Sequence, residues 1–590
     1  MDAVGLVEVL ARSGTGRGDP VALVVDPTVG LGLATAAGSW SSAGADVCQA
    51  VGMVEEALRP RWVFWSNEFA VNLAEAGVRV ATAWDVAAVH RLLFGGWAAD
   101  PAQVWAAARG LALERVPTGA APDLFTSLED DSGDPEDPVR DDGYLRPEWV
   151  AGGWRVSPER LRCWAVVAAR VAALQLDRLS ALSDHPMALV TARSESAAEL
   201  LCAEMTLDGL PMDRSVAEAI IAGFIGPRPS SSAEATALLA RRDAEVLRHV
   251  PPGVEVDLRS SAQVKALLGR LGVQVSDTRA GRLRAVQDRH PVVGAFLAWR
   301  KAERVATTYG YVWLDRHLGA DGRLRGSWTA CDGAAGRMTA SAGLHNMPAD
   351  LRPAVGAEPG NLFVRADLGQ IEPRVLAAVS RDEALVKATL DDDLYLPVAA
   401  QLAVDRATAK VAVLGAMYGQ TTGHGAQALR RLVATYPVAM AYLERAAQAA
   451  EAGRDLRTYG GRLVRMSPAA GADSRVNEAA AVAAARGRYG RNAVIQGAAA
   501  ELFKTWAVTV RARAQSLGAG IVLCLHDELL VQVPAEHAQR AAHLVKDCLD
   551  EAAHRWAPRT SVRFVVDISV IERWSDAKPA APSENLDPVT

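Results

Sequence analysis

The sequence predicts a multidomain α+β chain, and three observations carry that expectation. Half of its 590 residues are hydrophobic, enough for more than one packed core. Short apolar runs broken by Gly and small residues fill roughly the first 120 positions, the pattern of an α/β domain. From about Pro158 to His249 the apolar spacing turns helical, and strand-like runs return only in the C-terminal half, where they end on acids.

In chain order, VALVVD (Val21 to Asp26) and RWVFW (Arg61 to Trp65) read as strands. FAVNLAEAG (Phe69 to Gly77) reads as a helix stopped by Gly. An Asp/Pro/Gly segment follows and reads as a linker or long loop. RSSAQVKALLGRLGV (Arg259 to Val273) predicts a helix with Ser261 as N-cap and Gly272 as stop. One long amphipathic stretch then runs from Pro291 to about Leu318, and the Ala/Pro/Asp tail after Trp574 reads as frayed.

The net charge is −6, but it is unevenly placed. Between Asp123 and Asp142 nine acids face one base, Arg140, so this segment alone carries −8 and the remainder +2. A basic cleft elsewhere is therefore compatible with the acidic total. The six cysteines are scattered with no CxxC pair, as expected of free thiols in a reducing compartment. No apolar run is long and clean enough for a membrane span, and no signal peptide is evident at the N-terminus.

Three segments carry chemistry. In NLFVRADLGQIEPRVLAAVS (Asn361 to Ser380) an apolar run ends on Asp367 and helical spacing follows, with Pro373 tolerated in a first turn. In DRATAKVAVLGAMYGQ (Asp405 to Gln420) the residues Arg406, Lys410, Leu414 and Tyr418 recur every fourth position and form one slowly winding helical stripe. Cations for phosphates, an apolar group for a sugar and a ring for a base suit a nucleoside triphosphate. In GIVLCLHDELLVQVP (Gly520 to Pro534) two β-like runs flank His526, Asp527 and Glu528, a hairpin with acids at its bend. Asp367 and Asp527 from neighbouring strands could hold two divalent ions for phosphoryl transfer. Taken singly, each segment has a plainer reading as a cap, a solvated helix face or a turn. Their order and spacing together weigh against those readings.

These residues resemble the family A DNA polymerases. The first segment is similar to motif A of that family through Asp367, Gln370, Ile371, Glu372 and Arg374, the second to its fingers helix, and the third to motif C. AGRMTASAGLHNMP (Ala335 to Pro348) and RYGRNAVIQGAAAE (Arg488 to Glu501) resemble further stretches of the family, and IERWSDA fits how such chains end. The resemblance runs from about Ala188 to Trp574. It implies a right hand of palm, fingers and thumb preceded by an α/β, RNase H-like 3′→5′ exonuclease-like domain. The expected boundaries are 1–186 for the exonuclease-like domain, with an acidic loop at 123–142, and 187–330 for the thumb. The palm would take 331–393 and 481–576, the fingers 394–480, and a flexible tail 577–590.

By resemblance, Asp367, Asp527 and the backbone carbonyl of Leu368 would bind metal, with Glu528 in support. Two Mg2+ ions are implied, with Mn2+ as substitute. Arg406 and Lys410 would hold the triphosphate of a dNTP, Lys410 also protonating the leaving pyrophosphate. Leu414, Tyr418, Glu372 and Gln370 would complete the nucleotide site, Glu372 as a gate against a ribose 2′-hydroxyl. Arg337, Asn346, Arg488, Asn492, Gln496 and His526 would contact primer-template DNA, testing pair shape in the minor groove while phosphate contacts supply salt-dependent affinity. The implied setting is cytoplasmic and nucleoid-associated, in DNA replication or repair. A monomer is expected, with a separate 5′-nuclease or proofreading partner, since no 5′-nuclease region precedes the exonuclease-like domain.

Several positions depart from the family pattern. Leu414 and Leu368 stand where aromatics are usual, Gly369 replaces a small polar residue, His345 replaces Gln, and Tyr395 lies near a usual His. In the N-terminal domain the family's acids are missing: Asp26 is followed by Pro27 and Thr28, Asn67 by Ala70 and Val71, and Trp164 by Ala168. Carboxylates are what a two-metal nuclease needs, so this domain is expected to fold without exonuclease activity.

Overall fold

The structure is a computed structural model that describes residues 3–44, 46–117, 134–419, 426–466 and 476–577. Residues 118–133 of the acidic segment and its surroundings, and the tail from 578, lie outside the described residues. The chain forms two compact units, one of Met1–Asp208, Ser327–Thr339 and Gly360–Val570, the other of the remainder.

The larger unit contains two main sheets. The first has β1 (Pro20–Asp26), β2 (Gly30–Ala34), β3 (Ser39–Ala43), β4 (Arg61–Phe64) and β5 (Ala83–Asp85) in the order β3-β2-β1-β4-β5. β1 to β3 form an antiparallel meander, while β4 and β5 run parallel to β1. β1 and β2 are almost wholly buried, as the unbroken Val/Ala/Leu run of β1 requires. Helix α1 (Pro158–Ser180) packs on β2, and Gly32 is what lets it approach. A Cβ at Gly32 would lie 2.2 Å from the carbonyl carbon of Leu161. α1 starts on Ser157, whose hydroxyl accepts from the Arg160 amide, with Pro158 in the first turn.

The described end of the acidic segment is a docked loop rather than a free linker. Trp149 Nε1 donates to the Pro135 carbonyl at 3.0 Å, Arg146 Nε to the Asp137 carbonyl at 2.7 Å, and Arg160 pairs with Glu136 at 2.6 Å. Glu136 thus finds an arginine that composition alone could not assign to it.

The second sheet comprises β6 (Asn361–Gly369), β7 (Gly520–Leu525), β8 (Glu528–Pro534) and β9 (Val565–Ile571), ordered β7-β8-β6-β9. Around it lie α2 (Ala188–Asp208), α3 (Ile371–Ser380), α4 (Arg406–Tyr418) and the 39-residue α5 (Val476–Ala514). α5 is anchored by a buried ion cluster: Glu195 of α2 pairs with Arg462 at 2.7 Å and with Lys504 of α5, all three side chains at most 3% exposed. Lys504 Nζ also donates to the carbonyls of Ala330 and Gly336.

In the smaller unit, the helices Arg214–Ile225, Ser232–Leu247, Ser261–Arg270, Pro291–Thr308 and Tyr311–His317 are the main elements. Val246, Leu267, Val293, Phe296 and Trp299 form a core here. The N-cap of the third helix is Ser260, not Ser261, its hydroxyl accepting from the Gln263 amide. The stretch from Pro291 is two helices, broken at Tyr309 and Gly310. Among the described residues no helix is long and apolar enough to cross a membrane.

Candidate active site

β6 and β8 pair antiparallel in a register that sets Asp367 opposite Glu528. β7 and β8 pair Leu525 with Glu528, so His526 and Asp527 form the two-residue turn between them. Such a turn needs a left-handed residue, and His526 supplies it at φ 54°. The Leu368 amide donates to the Asp527 carbonyl at 3.0 Å, which fixes the turn beside Asp367. Strand pairing thus delivers the two aspartates to one place, and His526 stays exposed at the tip.

Burial pushes the Asp367 carboxyl up to about 6, opposed by Arg365 and reinforced by Glu528 and Asp567. Burial and then the charge of Asp367 push Asp527 up to about 7, with Glu528 and Glu372 adding to the rise. Acids that resist ionising beside one another call for an added cation. Among the described residues no three His, Cys, Asp or Glu side chains form a ready metal cage. Two carboxylates nevertheless suit Mg2+, which keeps several waters and takes the rest of its ligands from substrate phosphates.

Arg365, which the motif reading passed over, lies in the same cluster. It is two residues before Asp367 on β6 and therefore on the same face. Its Nη2 hydrogen-bonds Asp367 and donates to Glu528 at 3.1 Å, while Nη1 lies 3.5 Å from Asp567 of β9. Strand periodicity could have flagged it, but it hides inside an apolar run.

A second cluster joins four segments. Glu372, in the first turn of α3, accepts from Arg337 Nη2 at 3.3 Å and from the Tyr418 hydroxyl at 3.1 Å. Burial raises the Glu372 carboxyl, and burial together with Glu372 pushes Tyr418 up to about 12. Gln496 of α5 faces the same Tyr418 and opposes that rise. Gly419 ends α4 at φ 69°, and a Cβ there would lie 2.9 Å from Arg488 Cγ, so the approach of α5 at this point needs a glycine. Asn492, one turn on from Arg488, keeps a buried Oδ1 with no hydrogen-bond partner among the described residues.

The third cluster centres on Asp393, also missed because it ends the aperiodic run Asp391-Asp392-Asp393. Gln370 Nε2 donates to it at 2.9 Å, and Arg406 Nε pairs with its other oxygen. Arg406 also lies 5.6 Å over the ring of Tyr395. Gln370 stands at φ 54° and accepts from the Leu394 amide at 2.9 Å. Lys410 follows Arg406 by one turn of α4, and among the described residues no ion pair engages it. Leu414 is half-buried another turn along. Asn346 belongs to the smaller unit, exposed in a 3₁₀ turn.

In the first sheet, Asp26 has its Oδ1 taken by the Thr28 and Val29 amides and the Thr28 hydroxyl. Against the opposing effect of burial, those bonds and Arg155 hold its carboxyl below the usual range. Asn67 donates to Glu199 at 2.8 Å. Ala168 is fully buried in a core where Trp65 and Trp164 stack at 4.6 Å.

Residues 230–576 match the family described as DNA polymerase family A. The thermostable DNA polymerase I of Thermus aquaticus is 28% identical over 385 residues, covering 59% of this chain and 45% of that protein. The DNA polymerase I of Chloroflexus aurantiacus is 30% identical over 390 residues, covering 58% and 40%. The chain thus spans under half the length of these relatives. The solved POL domain of Pol1 from M. smegmatis, in complex with DNA primer-template and dNTP, matches with a TM-score of 0.68 at 20% identity. That match covers 98% of this chain and 99% of the other, and the two share one fold. With more than half of its length matched, the chain belongs to DNA polymerase family A.

Proposed function

We propose that the chain is a template-directed DNA polymerase that adds dNTPs to a primer 3′ end by two-metal nucleotidyl transfer, without proofreading of its own. The observation that carries this reading is the convergence of Asp367 and Asp527 at the β6–β8 seam. Beside it stands α4, whose last turn reaches α3 through Tyr418 and Glu372 and whose face carries Arg406 and Lys410.

Asp367, Asp527 and the Leu368 carbonyl would hold two divalent ions, Mg2+ or Mn2+, with Glu528 steadying the strand opposite. When bound, such ions activate the primer 3′-hydroxyl and neutralise charge on the leaving group. The 3′-oxygen bonds the α-phosphorus of the dNTP, the α–β phosphoanhydride breaks, and pyrophosphate departs. Arg406 and Lys410 bind the triphosphate, and Lys410 Nζ gives a proton to the departing pyrophosphate. Leu414 meets the sugar, Tyr418 closes over the templating position, Gln370 braces the site through Asp393, and Glu372 crowds a ribose 2′-hydroxyl. Arg337, Asn346, Arg488, Asn492, Gln496 and His526 contact primer-template DNA.

Residues 1–186 form an exonuclease-like domain without nuclease chemistry, 187–330 a thumb, 331–393 and 481–576 the palm, and 394–480 the fingers. The protein acts as a monomer near the nucleoid in replication or repair, and a separate partner supplies proofreading or 5′-nuclease activity. The test is extension of a labelled primer on a template with Mg2+ or Mn2+, beside Asp527→Ala. Extension with dNTPs that the variant loses supports the reading. Tight primer-template binding without extension overturns it in favour of a polymerase-shaped DNA-binding protein, with Leu368 and Leu414 as first suspects.

A further inference from the structure

Four acids surround the β6–β8 seam, and one buried cation, Arg365, is placed among them. Its side chain is 6% exposed, and it hydrogen-bonds Asp367 of its own strand and Glu528 of β8. Its other terminal nitrogen faces Asp567 of β9, whose side chain is 70% exposed. The guanidinium keeps its charge at any working pH and presents a fixed fork of donors. A charge buried this deeply must stay paired, and here its partners come from three adjacent strands.

We propose that Arg365 is a built-in cation of the acidic site that holds Asp367 and Glu528 in position and competes with a divalent ion for Asp367. This rests on the reading of Asp367 and Asp527 as metal ligands. Asp367 cannot serve a guanidinium and a metal ion fully at once. Glu528 and Asp567 give the guanidinium somewhere to remain when Asp367 turns to a metal ion. Arg365 is thus a positioning residue: it keeps the carboxylates from repelling one another and sets how much divalent ion the protein needs.

The experiment titrates Mn2+ into the full chain, free of DNA and nucleotide, and follows free Mn2+ by electron paramagnetic resonance. Melting temperatures are recorded in EDTA and in Mn2+. Removing a neighbouring positive charge tightens cation binding, so Arg365→Ser is expected to bind Mn2+ at least about fivefold more tightly than wild type. It should melt lower in EDTA and recover with Mn2+ by a larger margin than wild type, whereas Arg365→Lys should bind Mn2+ within about twofold of wild type. Should Arg365→Ser fail to fold, Asp567→Asn serves instead. It removes an outer, exposed partner, turns the guanidinium further onto Asp367, and should weaken Mn2+ binding. Unchanged Mn2+ affinity in Arg365→Ser, or in Asp567→Asn where that variant stands in, overturns the proposal. Asp367→Asn separates the two claims. Mn2+ binding lost there, with no gain in Arg365→Ser, overturns the role of Arg365 and leaves the metal site standing. Mn2+ binding unchanged in Asp367→Asn overturns both.

Discussion

The Tyr418 hydroxyl donates to Glu372 at 3.1 Å and so ties the last turn of α4 to the first turn of α3. Glu372 is held from its other side by Arg337, which fixes the carboxylate between two donors. The gate role proposed for Glu372 needs a carboxylate that cannot swing aside. Tyr418→Phe removes one of the two constraints while keeping the ring. A hydrogen bond to a charged acceptor is worth about 1.5–3 kcal/mol. The expected outcome is a fall of about tenfold in dNTP-over-rNTP discrimination, measured as the ratio of kcat/KM values. A ratio unchanged from wild type would show that Arg337 alone suffices.

The aspartates give a pH signature. Both carboxyls are raised from 3.8, Asp367 to about 6 and Asp527 to about 7. The folded protein therefore binds protons that the unfolded chain has released. Stability from this source is complete below about pH 4 and is lost as pH rises through the folded values. In EDTA the melting temperature should fall between about pH 5 and pH 8, and Asp527→Asn should flatten that slope. Protons and cations compete for the same oxygens, so the Mg2+ needed for half-maximal extension should fall over the same range. A Mg2+ requirement independent of pH would mean that these carboxyls are not the ligands.

What the sequence made legible follows from where the physics is local. Asp367 and Asp527 were readable because each ends or bends an apolar strand run, and the Arg406–Tyr418 stripe because a helix repeats along itself. Asp393 was not readable, since its role comes from Gln370 and Arg406 across a fold that the Asp391–Asp393 run does not encode. Arg365 lay within reach of period-two reasoning, yet its partners Glu528 and Asp567 are distant in sequence. The cap shift from Ser261 to Ser260 is the ordinary ambiguity of adjacent serines. The break at Tyr309 and Gly310 was hidden by apolar residues on both sides.

Lys504 invites a stability test. Its ammonium is fully buried with Glu195, also fully buried, and its bond to the Gly336 carbonyl at 2.7 Å fixes the residue before Arg337. Lys504→Met would strand Glu195 with Arg462 as its remaining cation. Breaking a buried pair from one side costs about 3–5 kcal/mol, and urea unfolding should show a loss of that order. Adding Glu195→Gln should return part of it, because the stranded charge goes too. A single-variant loss below about 1 kcal/mol would mean that Arg462 compensates alone.

The five-stranded sheet yields the last prediction. Asp26 spends its Oδ1 on Thr28 and Val29, Asn67 is committed to Glu199, and Ala168 is fully buried in the core that holds Trp65 and Trp164. Asp26→Ala should therefore leave the degradation of a 3′-tailed strand at its wild-type level, and a loss in that variant would make Asp26 a ligand after all. Nor should one added acid confer nuclease activity. Ala168→Asp would bury a carboxylate in an apolar core, and an unpaired buried charge neutralises itself or unfolds its surroundings. Its expected effect is a loss of several kcal/mol of stability with no gain in nuclease rate, measured by denaturant unfolding beside the tailed-strand assay. This apolar core packs α1 against β1 and β2, and a carboxylate buried at position 168 would disrupt it.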